Sequence, residues 1–276
     1  MALMMFALAG CSGLGDAKSA LSAGDKDKAF EIAQGFLKDG NPEVRIEAAQ
    51  VVGMTGGERA AKALYPLLDD EEPTVGAAAG AAIGDTGFIP AGLVLTQKTP
   101  KARGETFEGI ATGFGKLGSE AMRPLVVAFD ATKVEGDWKA YRAMMLQIGP
   151  SVATAITESF KRSTAQENQE KFKILVELRS PKVARFLIDQ IGDEEVAVMI
   201  VKGLVELGSI AVDPAVDKLK EYQGDETKIV QKALLCDALG DIKSKKAIPI
   251  LEQMAKEPSD RVRAAADHAL TKVRGF

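Results

Sequence analysis

Apolar residues recur along most of the chain at the three- and four-residue spacing that is typical of an amphipathic α-helix. In the segment NPEVRIEAAQVVG (residues 41–53), Val44, Ala48 and Val52 are four residues apart. This spacing places their side chains on one helix face. The segment EPTVGAAAGAAIG (residues 72–84) repeats the same pattern. Both segments therefore predict helices with one buried face.

An apolar residue followed by glycine marks the end of each such segment. The pairs are Val52-Gly53, Ile83-Gly84, Leu117-Gly118, Ile148-Gly149, Leu207-Gly208 and Leu239-Gly240. Their glycines are 31, 34, 31, 59 and 32 residues apart, and the gap of 59 has room for one degenerate unit near Leu178-Arg179-Ser180-Pro181. A sustained period near 31 predicts a repeat protein in which each unit is one supersecondary element.

Each unit is predicted to be a helix hairpin. The glycine would end the first helix as a C-cap, because glycine adopts positive φ without strain. Proline follows six residues later at Pro90, Pro124 and Pro214, and nine residues later at Pro249. Proline is tolerated early in a helix, where the backbone N–H has no helical partner. We therefore expect an all-α fold, an α-solenoid of about seven antiparallel helix pairs that bury a continuous core by stacking.

The repeat units resemble HEAT repeats of the short bacterial type found in phycobilisome-lyase-like proteins. The resemblance is carried by NPEVRIEAAQVVG and by AIPILEQMAKEPSDRVRAAADHAL, and it is best over residues 41–70 and 225–273. It implies the fold rather than an activity. It also implies that Arg45 and Arg263 match an arginine that bonds a turn aspartate, so that Asp85 and Asp241 would belong to a turn ladder. Residues 100–190 depart from the pattern.

The first residues, MALMMFALAGC, form an apolar run that is too short to span a bilayer. Leu8-Ala9-Gly10-Cys11 resembles the lipobox of bacterial lipoproteins, which implies cleavage before a lipidated Cys11, and no Lys or Arg precedes the run. The predicted organisation is a signal peptide at 1–10, a lipid anchor, linker and capping helices at 11–40, and the solenoid with a C-terminal capping helix at 41–276. Alternatively, the apolar run belongs to the first helix.

Composition narrows the possible functions. Apolar residues make up 46% of the chain and aromatic residues 5%, and the net charge is −4. An acidic chain lacks the basic excess that nucleic-acid binding requires, so no nucleic-acid partner is expected. His268 is the single histidine and is expected to face solvent, while Cys236 is expected to be buried and unreactive. No catalytic residue, metal site or cofactor is predicted.

Three other features have competing interpretations. The acidic segments at 69–73, 192–196 and 224–227 are expected to cap helices rather than bind calcium, because none has the spacing of a calcium loop. The basic stretch QKTPKARGE (residues 97–105) is a solvated loop or a docking patch for an acidic partner or a lipid headgroup. Trp138 and Tyr141 either fill a gap between repeats or belong to a binding surface.

The leading hypothesis is a non-enzymatic scaffold, a lipoprotein of the bacterial cell envelope that binds a partner protein. Ser12 after the cysteine resembles the sorting signal for the outer membrane, facing the periplasm. The resemblance to HEAT proteins implies binding through the second helices, whose candidate contact residues are Arg123, Arg185, Asp189, Lys218 and Glu252. The alternatives are a cytoplasmic HEAT-like lyase or chaperone-type protein, a DNA glycosylase with a similar repeat, and a tetratricopeptide-like peptide binder.

Overall fold

The computed structural model describes the backbone of residues 5–160, 165–192 and 196–275, and the side chains of residues 13–160, 168–192 and 196–275. The described part is all-α, as predicted. Its α-helices are α1 (Met5–Ser22), α2 (Lys26–Gln34), α3 (Pro42–Thr55), α4 (Gly57–Leu64), α5 (Pro73–Asp85), α6 (Ala91–Lys98), α7 (Gly104–Leu117), α8 (Ser119–Ala131), α9 (Glu135–Ile148), α10 (Ala153–Ser159), α11 (Ala165–Glu177), α12 (Pro181–Asp189), α13 (Ala197–Leu207), α14 (Ser209–Glu221), α15 (Ile229–Ile242), α16 (Ile248–Met254) and α17 (Asp260–Arg274).

These helices pair in chain order, so that an odd-numbered first helix is followed by an even-numbered second helix. The seven predicted pairs run from α3/α4 to α15/α16 across the described residues, and the lone α17 follows them. The pair α1/α2 precedes them. Its turn lies at Gly24, whose φ is +83°, and at Asp25, whose side chain accepts a hydrogen bond from the Lys28 N–H at 3.1 Å. The α-solenoid prediction is confirmed.

The chain divides into an N-terminal unit, residues 1–167, and a C-terminal unit, residues 168–276. In the N-terminal unit, α1, α3, α5, α7 and α9 pack in sequence, while α6, α8 and α10 form a neighbouring row. In the C-terminal unit, α13, α15 and α17 form one row and α12, α14 and α16 the other. Each unit is thus a two-layered stack of hairpins with its core between the layers.

The repeated glycines serve two purposes, of which the sequence predicted one. Gly118, Gly149 and Gly208 have φ of +88°, +76° and +59° at the ends of α7, α9 and α13, as predicted. The prediction is wrong for Gly53, Gly84 and Gly240, which lie inside α3, α5 and α15. The positive φ comes three residues later, at Gly56, Gly87 and Lys243.

The glycines inside helices allow neighbouring first helices to touch through their backbones. A Cβ atom on Gly53 would lie 2.7 Å from the carbonyl oxygen of Ala82, and one on Gly240 would lie 2.7 Å from the Cα of Ala269. Between α5 and α7 the approach is closer still, since a Cβ on Gly109 would lie 2.4 Å from the Cα of Ala77. These glycines set the distance between repeats, because no side chain fits between the helices.

Two of the prolines lie deeper in their helices than the sequence indicated. The second helices α8 and α14 begin directly after Gly118 and Gly208, so Pro124 and Pro214 fall inside them. Pro90 instead precedes α6 as its N-cap, and Pro249 lies at the start of α16. The turn between helices is therefore shorter than expected wherever the glycine is the cap.

The degenerate repeat consists of α11 and α12, joined by a short loop. Arg179 stands at the position of the missing glycine and adopts a positive φ of +44°. The helix after it begins at Pro181, and the Ser180 side chain accepts a hydrogen bond from the Lys182 N–H at 3.2 Å. The backbone at the end of this helix thus has the positive φ of the other repeats, with arginine in place of glycine.

Candidate functional site

A buried ion pair closes the joint between successive repeats in each unit. Arg45 on α3 donates from Nε and Nη2 to the two carboxylate oxygens of Asp70, at 2.9 and 2.7 Å, and from Nη1 to the carbonyl oxygen of Asp39 at 2.8 Å. Lys232 on α15 donates to Glu257 Oε2 at 2.7 Å, in a pair that is almost fully buried. Both cations lie on a first helix, and both acids lie just before the next first helix.

These pairs correct the predicted turn ladder. The acid that Arg45 bonds is Asp70 and not Asp85. Arg45 lies near the start of α3, whereas Asp85 is the last residue of α5. Asp85 instead accepts from Lys116 Nζ at 2.8 Å, and Asp241 accepts from Lys272 Nζ at 2.6 Å. Arg263 pairs with Asp260 in its own helix and donates to the carbonyl oxygen of Glu257 at 2.9 Å. The ladder rungs are thus lysine–aspartate pairs one repeat apart.

In each unit the second helices present an exposed face, which we call the second-helix surface of that unit. On that of the C-terminal unit, α12 and α14 bring three of the predicted contact residues together, and Arg185, Asp189 and Lys218 line one shallow cavity of about 180 Å³. Lys218 Nζ lies 2.9 Å from Asp189 Oδ1 and 3.1 Å from Glu221 Oε2. The hydrogen bond that Lys218 donates to Asp189 outweighs the opposing effect of burial and raises the pKa of Lys218, which keeps it charged.

The other two charged candidates lie apart from this cavity. Arg123 on α8 pairs with Glu158 on α10, with 2.9 Å between Nε and Oε2. Glu252 on α16 pairs with Arg274 on α17. Both are therefore bonded across a joint between elements of their own unit.

The two aromatic candidates belong mainly to the packing of α8 and α9. Tyr141 is buried, and its pKa is raised by that burial. Trp138 is half-buried, and its ring lies 5.3 Å from that of Phe129 between centroids. The interpretation as gap-filling residues accounts for both positions.

An apolar patch that the sequence analysis did not single out lies on α6, on α8 and in the turn before α6. It consists of Ile89, Leu93 and Val127, whose side chains are 40%, 52% and 63% exposed. The pair α6 and α8 pack closely enough that a Cβ on Gly92 would lie 2.0 Å from the carbonyl oxygen of Ala121. The sequence did contain a signal for this patch. Residues 125–129 are five consecutive apolar residues, and they cannot all lie on the core-facing side of a helix.

This patch coincides with a gap in the ion pairs of the second-helix surface. In the N-terminal unit, ion pairs join α2 to α4 (Glu31–Arg59), the 3₁₀ turn after α4 to α6 (Asp69–Lys98), and α8 to α10 (Arg123–Glu158). No ion pair joins the described side chains of α6 to those of α8. The apolar patch occupies the joint at which the charged pairs are missing.

The remaining candidates have ordinary structural roles. Cys236 is buried, and this burial raises the pKa of its thiol to about 12, as expected for an unreactive cysteine. His268 is exposed. The side chain of Cys11 lies outside the described residues, although α1 passes through this position.

The acidic segments behave in different ways. Asp225 caps a 3₁₀ turn by accepting from the Thr227 N–H at 2.8 Å, as predicted. Asp70 bonds Arg45 and also accepts from the Glu72 N–H at 3.0 Å, directly before α5, whereas Glu72, the N-cap residue itself, makes no side-chain cap. Residues 193–195 of the segment at 192–196 lie outside the described residues.

The described residues contain neither a metal-binding cluster nor a membrane-spanning helix. No group of three or more histidine, cysteine, aspartate or glutamate side chains in the described ranges is placed to hold a metal ion. No helix among the described residues is both long and apolar enough to cross a bilayer.

Comparison with solved structures gives distant similarities. Human deoxyhypusine hydroxylase in complex with glycerol is 17% identical, with 90% of this chain and 85% of that chain covered and a TM-score of 0.30. An engineered protein is 16% identical, with 95% and 91% covered and a TM-score of 0.29. A computationally designed armadillo repeat protein for modular peptide recognition is 16% identical, with 87% and 98% covered and a TM-score of 0.22.

The family comparison is more informative. No curated protein matches the sequence at a significant level. The family model of HEAT repeats matches residues 9–87 and 184–271. The first range includes α1 and α2, so the N-terminal pair is itself repeat-like, and the unmatched residues 88–183 fall largely in the region that departs from the repeat pattern. Because the two ranges together make up more than half of the sequence, this chain belongs to the HEAT-repeat family.

Proposed function

We propose that the protein is a non-enzymatic scaffold of the bacterial cell envelope that binds a partner protein on its second-helix surface. The observation that carries this proposal is the apolar patch of Ile89, Leu93 and Val127. Exposed apolar patches bordered by polar residues are typical of interaction sites. Repeat proteins of this architecture present extended surfaces to their partners.

The charged cavity between α12 and α14 contributes less to the proposal. Asp189 and Glu221 already neutralise Lys218, and partly exposed ion pairs of this kind add little affinity. Apolar side chains that leave water on binding contribute more, at roughly 25 cal/mol per Å² buried. We therefore assign the main partner contact to the N-terminal unit, and we assign selectivity between partners to the charged residues.

Envelope anchoring rests on the sequence at the start of the chain. Leu8-Ala9-Gly10-Cys11 supplies the lipidation signal, and Ser12 directs the lipoprotein to the outer membrane. A lipoprotein with three acyl chains exceeds the two membrane signals that stable anchoring needs. The scaffold would then face the periplasm.

The anchoring is tested by labelling cells with radioactive palmitate. Cells express the native chain, Cys11→Ala, or the matched control Cys236→Ala, which removes the buried cysteine. We expect label and membrane sedimentation for the native chain and for the control, and neither for Cys11→Ala. If all three proteins stay soluble and unlabelled, the anchor is wrong and a cytoplasmic lyase or chaperone-type function becomes the better proposal.

Partner binding is tested separately by placing a photo-cross-linking amino acid at Val127. The control position is Val198 on α13, a first-helix residue of the C-terminal unit that is 81% exposed. We expect one protein to be cross-linked from Val127 and not from Val198. Equal cross-linking from both positions would mean that exposure alone, and not the patch, determines the contacts.

A further inference from the structure

We infer that the patch of Ile89, Leu93 and Val127 binds a partner helix that has an apolar face and a cluster of acidic residues at one end. This inference rests on the proposed function and specifies the chemistry of the partner. It is drawn from the placement of apolar and charged side chains on two adjacent repeats.

The apolar half of the site consists of side chains on two adjacent second helices and in the turn before the first of them. Leu93 on α6 and Val127 on α8 are more than half exposed, and Ile89 lies at the start of the same surface. The close approach of Gly92 to Ala121 places the two helices side by side without an intervening side chain. An apolar surface of this kind offers contacts to an amphipathic helix, whose apolar side chains recur at three- and four-residue spacing.

The charged half of the site lies where these second helices end. α6 is followed by Lys101 and Arg103, and α8 is followed by Lys133, and all three side chains are exposed. Among the residues whose side chains are described, the Arg103 guanidinium donates only to the carbonyl oxygens of Pro100 and Ala102, at 2.8 and 2.6 Å. No carboxylate pairs with Lys101 or Lys133 among the described residues. Because α6 and α8 run in the same direction, their loops lie at the same edge of the stack.

These cations are not explained by stabilisation of the helix ends. The helix dipole acts within the last turn, which Lys98 already occupies in α6. Lys101 and Lys133 come three and two residues after their helices end. The corresponding loop after α4 is acidic, with the sequence DDEEP at residues 69–73. The loops after α6 and α8 thus differ in charge from the loop after α4.

An acidic helix fits this surface better than it fits the charged cavity of the C-terminal unit. At that cavity it would meet Asp189, Asp217 and Glu221. At the patch it would meet unpaired cations and apolar side chains. Complementary charge increases the association rate and suppresses wrong partners.

The test uses the full chain and two synthetic helical peptides. Both peptides have leucine along one face; one has four glutamates at one end, and the other has four lysines in their place. Binding is measured by fluorescence anisotropy at low and moderate salt. We expect the glutamate peptide to bind at least about tenfold more tightly, a difference of about 1.4 kcal/mol, with a difference that shrinks as salt rises.

Variants separate the two halves of the site. We expect the double change Leu93→Glu with Val127→Glu to abolish binding of both peptides, while the control Val198→Glu leaves binding unchanged. We expect Lys101→Glu with Lys133→Glu to reverse the preference between the peptides, while the control Lys245→Glu does not. Thermal melts followed by circular dichroism establish that each variant is folded.

Three outcomes would overturn the inference. The peptides could bind equally, or the variants could bind like the native chain. Alternatively, vesicles of phosphatidylglycerol and phosphatidylcholine could be bound in a manner lost in Leu93→Glu with Val127→Glu while neither peptide binds, in which case the ligand is an anionic membrane. The proposed function would survive any of these if Val127 still cross-links to one partner protein, because that experiment does not depend on the partner's charge.

Discussion

The two units close the joint between repeats with the same spacing but different side chains. In the N-terminal unit, the guanidinium of Arg45 bonds both oxygens of Asp70. In the C-terminal unit, the ammonium of Lys232 bonds one oxygen of Glu257, and the Gly224 N–H donates to the other oxygen at 3.2 Å. The partners are 25 residues apart in both pairs.

The difference shows what the joint requires. In both units the cation is three residues after the start of its first helix, and the acid is three residues before the start of the next first helix. The planar guanidinium of Arg45 bonds both oxygens of Asp70, one of which also accepts from the Glu72 N–H at 3.0 Å. The ammonium of Lys232 bonds one oxygen of Glu257, and the Gly224 N–H bonds the other. The fold thus fixes two positions and a complete set of hydrogen bonds, but not the residue types.

The largest effect is expected from removing one partner of the more deeply buried pair. The side chains of Lys232 and Glu257 are 1% and 7% exposed, against 8% and 12% for Arg45 and Asp70. Lys232→Met leaves a buried carboxylate without its cation, so we expect a loss of about 3–5 kcal/mol in the free energy of unfolding. Urea unfolding measures it.

The double variant Lys232→Met with Glu257→Gln is the control for this prediction. It removes both charges, so we expect much of the loss to be recovered. We expect Arg45→Met to cost less than Lys232→Met, since its pair is less buried. An equal loss of stability in Arg45→Met and Lys232→Met would show that the difference in burial between the two pairs does not determine the cost.

The next effect concerns the contacts between first helices. Gly109→Ala on α7 forces a methyl group against the backbone of Ala77, so we expect a loss of about 1–3 kcal/mol, the range for overpacking a core. Gly240→Ala meets Ala269 in the same way in the C-terminal unit. We expect Gly115→Ala, on the open side of α7, to be neutral or to stabilise by up to about 1 kcal/mol. A neutral Gly109→Ala would show that α5 and α7 can separate without cost.

A smaller loss in the free energy of unfolding is expected at low pH. Burial by itself raises the pKa of Asp70 and of Glu257, but the hydrogen bonds from Arg45 or Lys232 and from a backbone N–H outweigh it and lower both pKa values. The folded state therefore binds fewer protons than the unfolded state. The stabilisation is complete above the unfolded pKa values of 3.8 and 4.5 and is lost as pH falls below them.

The measurement is the urea midpoint between neutral pH and about pH 3. We expect Asp70→Asn and Glu257→Gln each to be less stable than the native chain at neutral pH and to lose less of their stability on acidification. A native-like pH dependence in both variants would assign the acid sensitivity to other carboxylates.

The smallest effect concerns the two helix caps that lack glycine. Arg179 and Lys243 have φ of +44° and +58°, one in the loop after α11 and one after α15. Replacing either with glycine removes the strain of a side chain at positive φ, so we expect a gain of about 1 kcal/mol. The control Gly118→Ala, at φ of +88°, is expected to lose a similar amount. Calorimetric melting temperatures would show an unchanged stability if the loops can relax.

The sequence by itself determined the repeat, the helix pairs and their order. Apolar spacing within each segment and glycine spacing between segments are local signals, and they predicted the seven pairs and the capping elements at either side. They also predicted the burial of Cys236 and the exposure of His268, because each follows from the face of one helix. The charged candidates on α12 and α14 were likewise placed on the correct helices, although their meeting in one cavity was not foreseen.

Only the tertiary structure decided what each repeated position does. The same apolar–glycine pair is a cap at Gly118 and a helix contact at Gly84, because the outcome depends on how closely the neighbouring helix approaches. The partner of Arg45 is 25 residues away, so the sequence could not distinguish Asp70 from Asp85. The apolar patch at Leu93 and Val127 becomes evident only when two helices from different repeats lie side by side. A periodic sequence specifies positions within a repeat, whereas the contacts between repeats select which of those positions are buried, paired or exposed.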